Sequence, residues 1–171
     1  MHAELLLLRL IHILGGVFWL GGGVYSTLFL VPALATSGVN AGRVFAALQQ
    51  RRLFTILPLV ALLTIASGLR LIWIDSGGFV ARYFASATGA MFGGSGAAAI
   101  LAFVLSLAIA RPLAARAGRL EASLAAAPEA RRAGLASELT TLRRRGAVIG
   151  NVAMMLLILG GAGMAVARYL A

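Results

Sequence analysis

Cysteine is absent from this chain. That excludes disulfides, thiolate metal ligands, iron–sulfur clusters and any lipid anchor carried on a thiol. Acidic residues number five against fifteen basic ones. The apolar stretches hold no carboxylate pair, so two-carboxylate hydrolysis has no footing. Charge as a whole is scarce, at 12% of the residues. What fills the chain instead is apolar: 61% is hydrophobic and the mean hydropathy is +0.96, far above a soluble domain.

Four stretches are long enough to cross a bilayer core of roughly 30 Å, which needs about 20 apolar residues as helix. They cover residues 5–30, 53–74, 88–110 and 147–169. The pattern predicts an all-α polytopic membrane protein, a four-helix bundle in one domain over residues 1–171. The first run reads as a span and not a secretory signal, because it is too long and carries a Trp.

The net charge of +10 gives orientation. Eleven arginines fall in two connectors: Arg43, Arg51 and Arg52 in the first, and Arg111, Arg116, Arg119, Arg131, Arg132, Arg143, Arg144 and Arg145 in the last. Only Arg9, Arg70, Arg82 and Arg168 lie toward the other side. The positive-inside rule places both connectors in the cytoplasm and both termini, Ala171 included, outside a bacterial-type inner membrane. No aromatic residues interleave with the basic ones, which argues against nucleic acid.

Punctuation follows the same plan. Pro32 and the polar run 36–40 close the first span, and residues 42–52 form a short connector. Pro58 is a candidate kink in the second. Asp75-Ser-Gly-Gly78 closes that span, and Trp73, Tyr83 and Phe84 suit an interfacial belt. Gly89 and Gly93 have small-xxx-small spacing for close helix contact. Segment 111–145 is rich in helix-forming Ala, Leu, Arg and Glu. Leu120 and Leu124 share one face, and Leu135, Leu139 and Leu142 another, so it reads as a cytoplasmic helical hairpin turning near Ala127–Pro128. Such a hairpin is a solvated connector that meets anionic lipid, or a docking surface for a partner.

His12 carries the most chemical information. An imidazole in hydrocarbon is costly and is a functional-site hypothesis by default. It lies roughly 10 Å inside the first span. Arg9 precedes it by three positions on the same face, and Arg70 lies about one turn from the matching end of the second span. Met91 and Met164 fall in the same layer. One imidazole, two arginines and two thioethers suit haem: His12 as axial iron ligand, Met91 or Met164 as the second, and Arg9 and Arg70 for propionates. Gly16 and Gly23 would let a porphyrin lie against the backbone, with Trp19 at its edge. The alternative is that His12 bonds a backbone carbonyl, the arginines snorkel to water and the glycines serve packing alone. Imidazole and thioether also suit Cu(I), although no MxxM or HxM cluster is present. Asn151 reads as a buried polar residue that bonds across helices.

His12 followed by Trp19, Gly22 and Tyr25, together with Arg51-Arg-Leu-Phe-Thr-Ile-Leu-Pro58 through Thr64 to Gly68-Leu69, resembles the HemJ-type protoporphyrinogen oxidases and the wider CopD-like superfamily. The resemblance covers roughly the first 75 residues. It implies a four-helix membrane core, often oligomeric, with His12 as a haem ligand. The chain departs from the HemJ pattern in having no lysine, Leu28 where an arginine stands and Asn151-Val152 where an Asn-Glu pair stands. These departures argue against protoporphyrinogen oxidation and leave any enzyme activity open.

The sequence therefore predicts a b-type haem protein of the inner membrane, a homo-oligomer with a dimer favoured, working in electron transfer, haem handling or sensing with an unidentified redox partner. A CopD-like copper-handling or transport protein and a cofactor-free structural subunit are the alternatives.

Overall fold

A computed structural model describes residues 2–37 and 41–170. Residues 38–40, the end of the polar run expected to close the first span, lie outside the described residues, as does Ala171. Among the described residues every regular element is helical: α1 (His2–Tyr25), α2 (Val31–Thr36), α3 (Ala41–Gln50), α4 (Leu53–Asp75), α5 (Ala81–Phe84), α6 (Ala87–Leu105), α7 (Arg111–Ala125) and α8 (Glu129–Val166). Four helical stretches are long and apolar enough to cross a membrane: His2–Thr36, Leu53–Asp75, Ala87–Ala125 and Glu129–Tyr169.

The first and third stretches run further than their prolines suggest. Pro32 was expected to end the first span, yet the helix passes through it to Thr36. A π-turn, Ser26–Leu30, precedes it, and a second, Ser106–Ala110, precedes Pro112. In each, an N–H skips one residue further back than in an α-helix: Val31 donates to Ser26 O, and Arg111 to Ser106 O. Proline has no N–H and its ring clashes with the carbonyl four residues earlier, so a widened turn ahead of it relieves both problems.

The bundle is built from two antiparallel pairs. Helix α1 packs along α4, and α6 with α7 packs along α8. The pairs meet in a core of Trp19, Ala61, Ala102, Ala153 and Leu157, with Phe103 edge-on to Trp19 at 6.1 Å between ring centroids. Small residues set the α6–α8 distance. Gly160 lies where a Cβ would stand 3.1 Å from the Ser95 carbonyl oxygen, and a Cβ on Gly163 would run into the Ser95 hydroxyl. This is the close approach that membrane-type packing uses in place of large side chains. Gly89 and Gly93, expected at such a contact, instead admit the short α5: a Cβ on Gly89 would collide with the Tyr83 carbonyl, and one on Gly93 would stand 3.1 Å from the Phe84 ring.

Past the apolar part, α7 and the first half of α8 form a hairpin that turns at residues 126–128. Leu139 and Leu142 are buried. Arg116 pairs with Glu138 at 2.6 Å, and Arg143 with Glu121. The opposite end of the bundle is closed by the loop 76–80, where Gly77 and Gly78 take positive φ. There Phe79 stacks on Trp73 and on Phe84.

Candidate functional site

The α1 helix buries one broad face. His12, Gly15, Gly16, Trp19, Gly22 and Gly23 lie on it, while Leu6, Leu10, Ile13, Leu14 and Val17 are exposed on the other side. Glycine rows on the buried face let α4 come close. A Cβ on Gly15 would run into the Thr64 hydroxyl, and one on Gly22 would stand 3.2 Å from Leu57 Cδ1.

This approach puts the half-buried His12 ring directly on α4. Nδ1 of His12 lies 2.8 Å from the main-chain oxygen of Thr64. A carbonyl oxygen only accepts, so Nδ1 is the nitrogen that bears the proton and donates. In the neutral imidazole the lone pair is then on Nε2. The ring fills the notch at Gly68, where a Cβ would stand 2.6 Å from Cε1 and 3.0 Å from Nδ1. The receiving carbonyl is itself shared, because the buried Ser67 hydroxyl donates to Thr64 O at 3.0 Å and to Leu63 O at 2.8 Å. The Thr64 hydroxyl donates to Val60 O at 2.8 Å. Thr64, Ser67 and Gly68 thus form the seat of His12. Sequence reasoning singled out none of the three for this role; the one signal was a short polar and small cluster in an otherwise aliphatic span.

The other candidate residues divide. Gly16 faces Thr64, where a Cβ would stand 3.8 Å from Cγ2, and Gly23 faces Leu157 at 3.7 Å. Trp19 is 6% exposed and sits in the core. Trp19 is thus part of the helix packing, and Gly16 and Gly23 have a neighbouring helix at ordinary van der Waals distance. Arg70 is held by Glu4, with Nη2 2.7 Å and Nε 3.0 Å from the same carboxylate oxygen, and its guanidinium lies 5.6 Å from the Trp73 ring centroid. Arg9 is exposed. Met91 turns its sulfur to α8, where a Cβ on Gly163 would stand 3.1 Å away. Met164 is half-buried on α8. Asn151, expected to be buried, is exposed: the buried arc of α8 at that level is taken by Ala153, Met154 and Leu157.

Among the described residues no three His, Cys, Asp or Glu side chains converge as a metal-ligand group. His12 by itself still has the donor chemistry of an axial haem ligand. Its Nδ1–H is tied to a carbonyl, which fixes the ring and aims the tautomer as ligating histidines require.

At the end closed by the loop, Tyr83 donates to Asp75 Oδ2 at 2.6 Å. Loss of solvent, then this hydrogen bond and the carboxylate charge, push the Tyr83 hydroxyl up to about 12.

Fold and site together define an all-helical bundle with four helices of membrane-crossing length and one seated histidine. No family model matches the chain, and no curated protein or solved structure matches it.

Proposed function

We propose that the chain is an integral membrane protein that binds b-type haem through Nε2 of His12. It lies in a bacterial-type inner membrane, the arginine-rich connectors inside and both termini outside, and works in electron transfer, haem handling or sensing. The observation that carries this reading is the His12–Thr64 bond, which orients the imidazole and leaves Nε2 as the ligating nitrogen. Thr64 and Ser67 hold the ring, Gly68 makes room for it, and the exposed Arg9 is the cation available to a propionate. Haem, when bound, supplies one-electron chemistry at iron. Trp19 is taken up by the core, so the residues that would hold the group are His12 and Arg9, with a second copy of the chain as a further source of ligands. Met164 of this chain or His12 of a second copy could supply a further donor; the Met91 sulfur is turned to Gly163 inside the α6–α8 contact. The motif resemblance to HemJ-type and CopD-like proteins supports the same reading.

An absorption spectrum of detergent-purified protein, oxidised and dithionite-reduced, tests it. A Soret band that is lost or turned high-spin in His12→Ala is the expected result. Wild-type protein that stays colourless and takes up no haem on reconstitution overturns it.

A second reading has its own support. If His12 serves only as an interhelical tie, the packing of Gly16, Trp19 and Gly23 is the whole purpose of that face, and the chain is a structural subunit. Colourless wild-type protein that is destabilised by His12→Ala is its signature, and colourless protein that binds Cu(I) through His12 is that of copper handling.

A further inference from the structure

Where the apolar part of α8 meets the hairpin, the structure has a groove of about 680 Å³ between the Ser106–Ala110 π-turn, the start of α7 and α8. Its walls are Ile109, Leu113, Val148 and Ile149, and its rim carries Arg144 and Arg145. The division is sharp in sequence: α8 has no charged residue from Gly146 to Val166. The opposing helix acquires its first charge at Arg111.

The arginines of this region fall into two sets. Arg116, Arg132 and Arg143 are held by Glu138, Glu129 and Glu121. Arg111, Arg119, Arg131, Arg144 and Arg145 are exposed and have no carboxylate partner among the described residues, and of these Arg144 and Arg145 line the groove. Thr140 and Thr141 also border the groove, but their hydroxyls donate to Ala136 O and Ser137 O. The two guanidiniums are thus left to supply the donors at the rim.

We propose that this groove binds one anionic phospholipid, its phosphate between Arg144 and Arg145 and its acyl chains along Ile109, Leu113, Val148 and Ile149. The proposal rests on the membrane-spanning reading and is independent of haem. A guanidinium pair matches a phosphate in charge and in bidentate geometry. The aliphatic walls have no purpose for a free anion, which is why the occupant is a lipid. Basic pockets between helices at a membrane face are the usual form of such sites.

Native mass spectrometry of the full-length protein with dioleoyl phosphatidylglycerol or dioleoyl phosphatidylcholine tests this. Phosphatidylglycerol should be retained over phosphatidylcholine. R144Q/R145Q should weaken its retention about thirty-fold, the equivalent of two basic contacts at an anionic surface. R119Q/R131Q, an equal loss of charge away from the groove, should leave retention unchanged. Ile109→Trp fills the groove with both arginines in place and should also lose the lipid. Equal losses in both double variants would reduce the effect to diffuse positive charge and overturn the site. So would retention unaffected by R144Q/R145Q or by Ile109→Trp, or displacement of the lipid by inorganic phosphate at matched concentration.

Discussion

The imidazole of His12 occupies the space that a side chain on Gly68 would take: a Cβ there would stand 2.6 Å from Cε1. Gly68→Ala therefore pushes the ring off α4 and lengthens its bond to the Thr64 carbonyl. Overpacking of this kind costs about 1–3 kcal/mol. A lower melting temperature in detergent is expected, together with weaker haem retention if haem is the ligand. Gly68→Ala that melts like wild type would show that the ring moves aside freely and that its seat does not fix it.

Two glycines of one helix should respond in opposite ways to the same substitution. A Cβ on Gly89 would collide with main-chain Tyr83 O, which cannot rotate away, whereas Gly94 has nothing within 4 Å. Gly89→Ala should displace α5 and destabilise the protein clearly. Gly94→Ala should be neutral or stabilise by up to about 1 kcal/mol through helix propensity. Thermal unfolding of the pair decides it, and equal melting temperatures would contradict the α5–α6 contact.

The hairpin has both buried leucines and ion pairs, and magnitudes say which holds it. Exposed ion pairs contribute about 0–1 kcal/mol, while truncating a buried Leu costs about 2–5 kcal/mol. Leu142→Ala should open the hairpin and speed protease cleavage near residues 126–128. Glu138→Gln should barely change it. Faster cleavage in Glu138→Gln than in Leu142→Ala would reverse the assignment.

Tyr83 gives a pH window. Its folded-state value, about 12, is above the ordinary 10.0, so folding favours the protonated hydroxyl. The stabilisation is fully present below pH 10 and is lost as pH rises toward 12. Absorbance at 295 nm should show one tyrosine ionising late, and Tyr83→Phe should remove that late step. A late step that persists in Tyr83→Phe would assign it to Tyr25 or Tyr169.

The four apolar helices were legible because length and hydropathy suffice to see them. The end of the first was not, although the second, expected over 53–74, runs Leu53–Asp75. Pro32 reads as a stop, and only the π-turn before it lets the helix continue. His12 stood out because an imidazole is rare among aliphatic residues. Its partners did not, because Thr64, Ser67 and Gly68 acquire their role from the register of α1 against α4, which no local pattern records. Gly16 and Gly23 were chosen for sharing a face with His12. That face is two rows wide, and Gly15 and Gly22 in the second row make the tighter approach. Asn151 was placed inside on polarity alone, although Ala153, Met154 and Leu157 take the interior at that level.

The π-turn at Ser106–Ala110 marks one residue more than a regular helix needs. Along the α6–α7 strip facing α8, the covered positions step from Ala102 to Ser106 to Ala110, then to Leu113, Ala117, Leu120 and Leu124. The two consecutive steps of four absorb the extra residue, so the leucines beyond stay in phase with α8. A single-residue deletion inside the π-turn would keep that phase but bring the Pro112 ring back against a carbonyl one turn earlier, whereas the same deletion in mid-α6 would rotate the leucine row by about 100° away from its partner. One widened turn just ahead of Pro112 therefore serves two ends at once, making room for the proline ring and keeping the arm that follows in step with its partner.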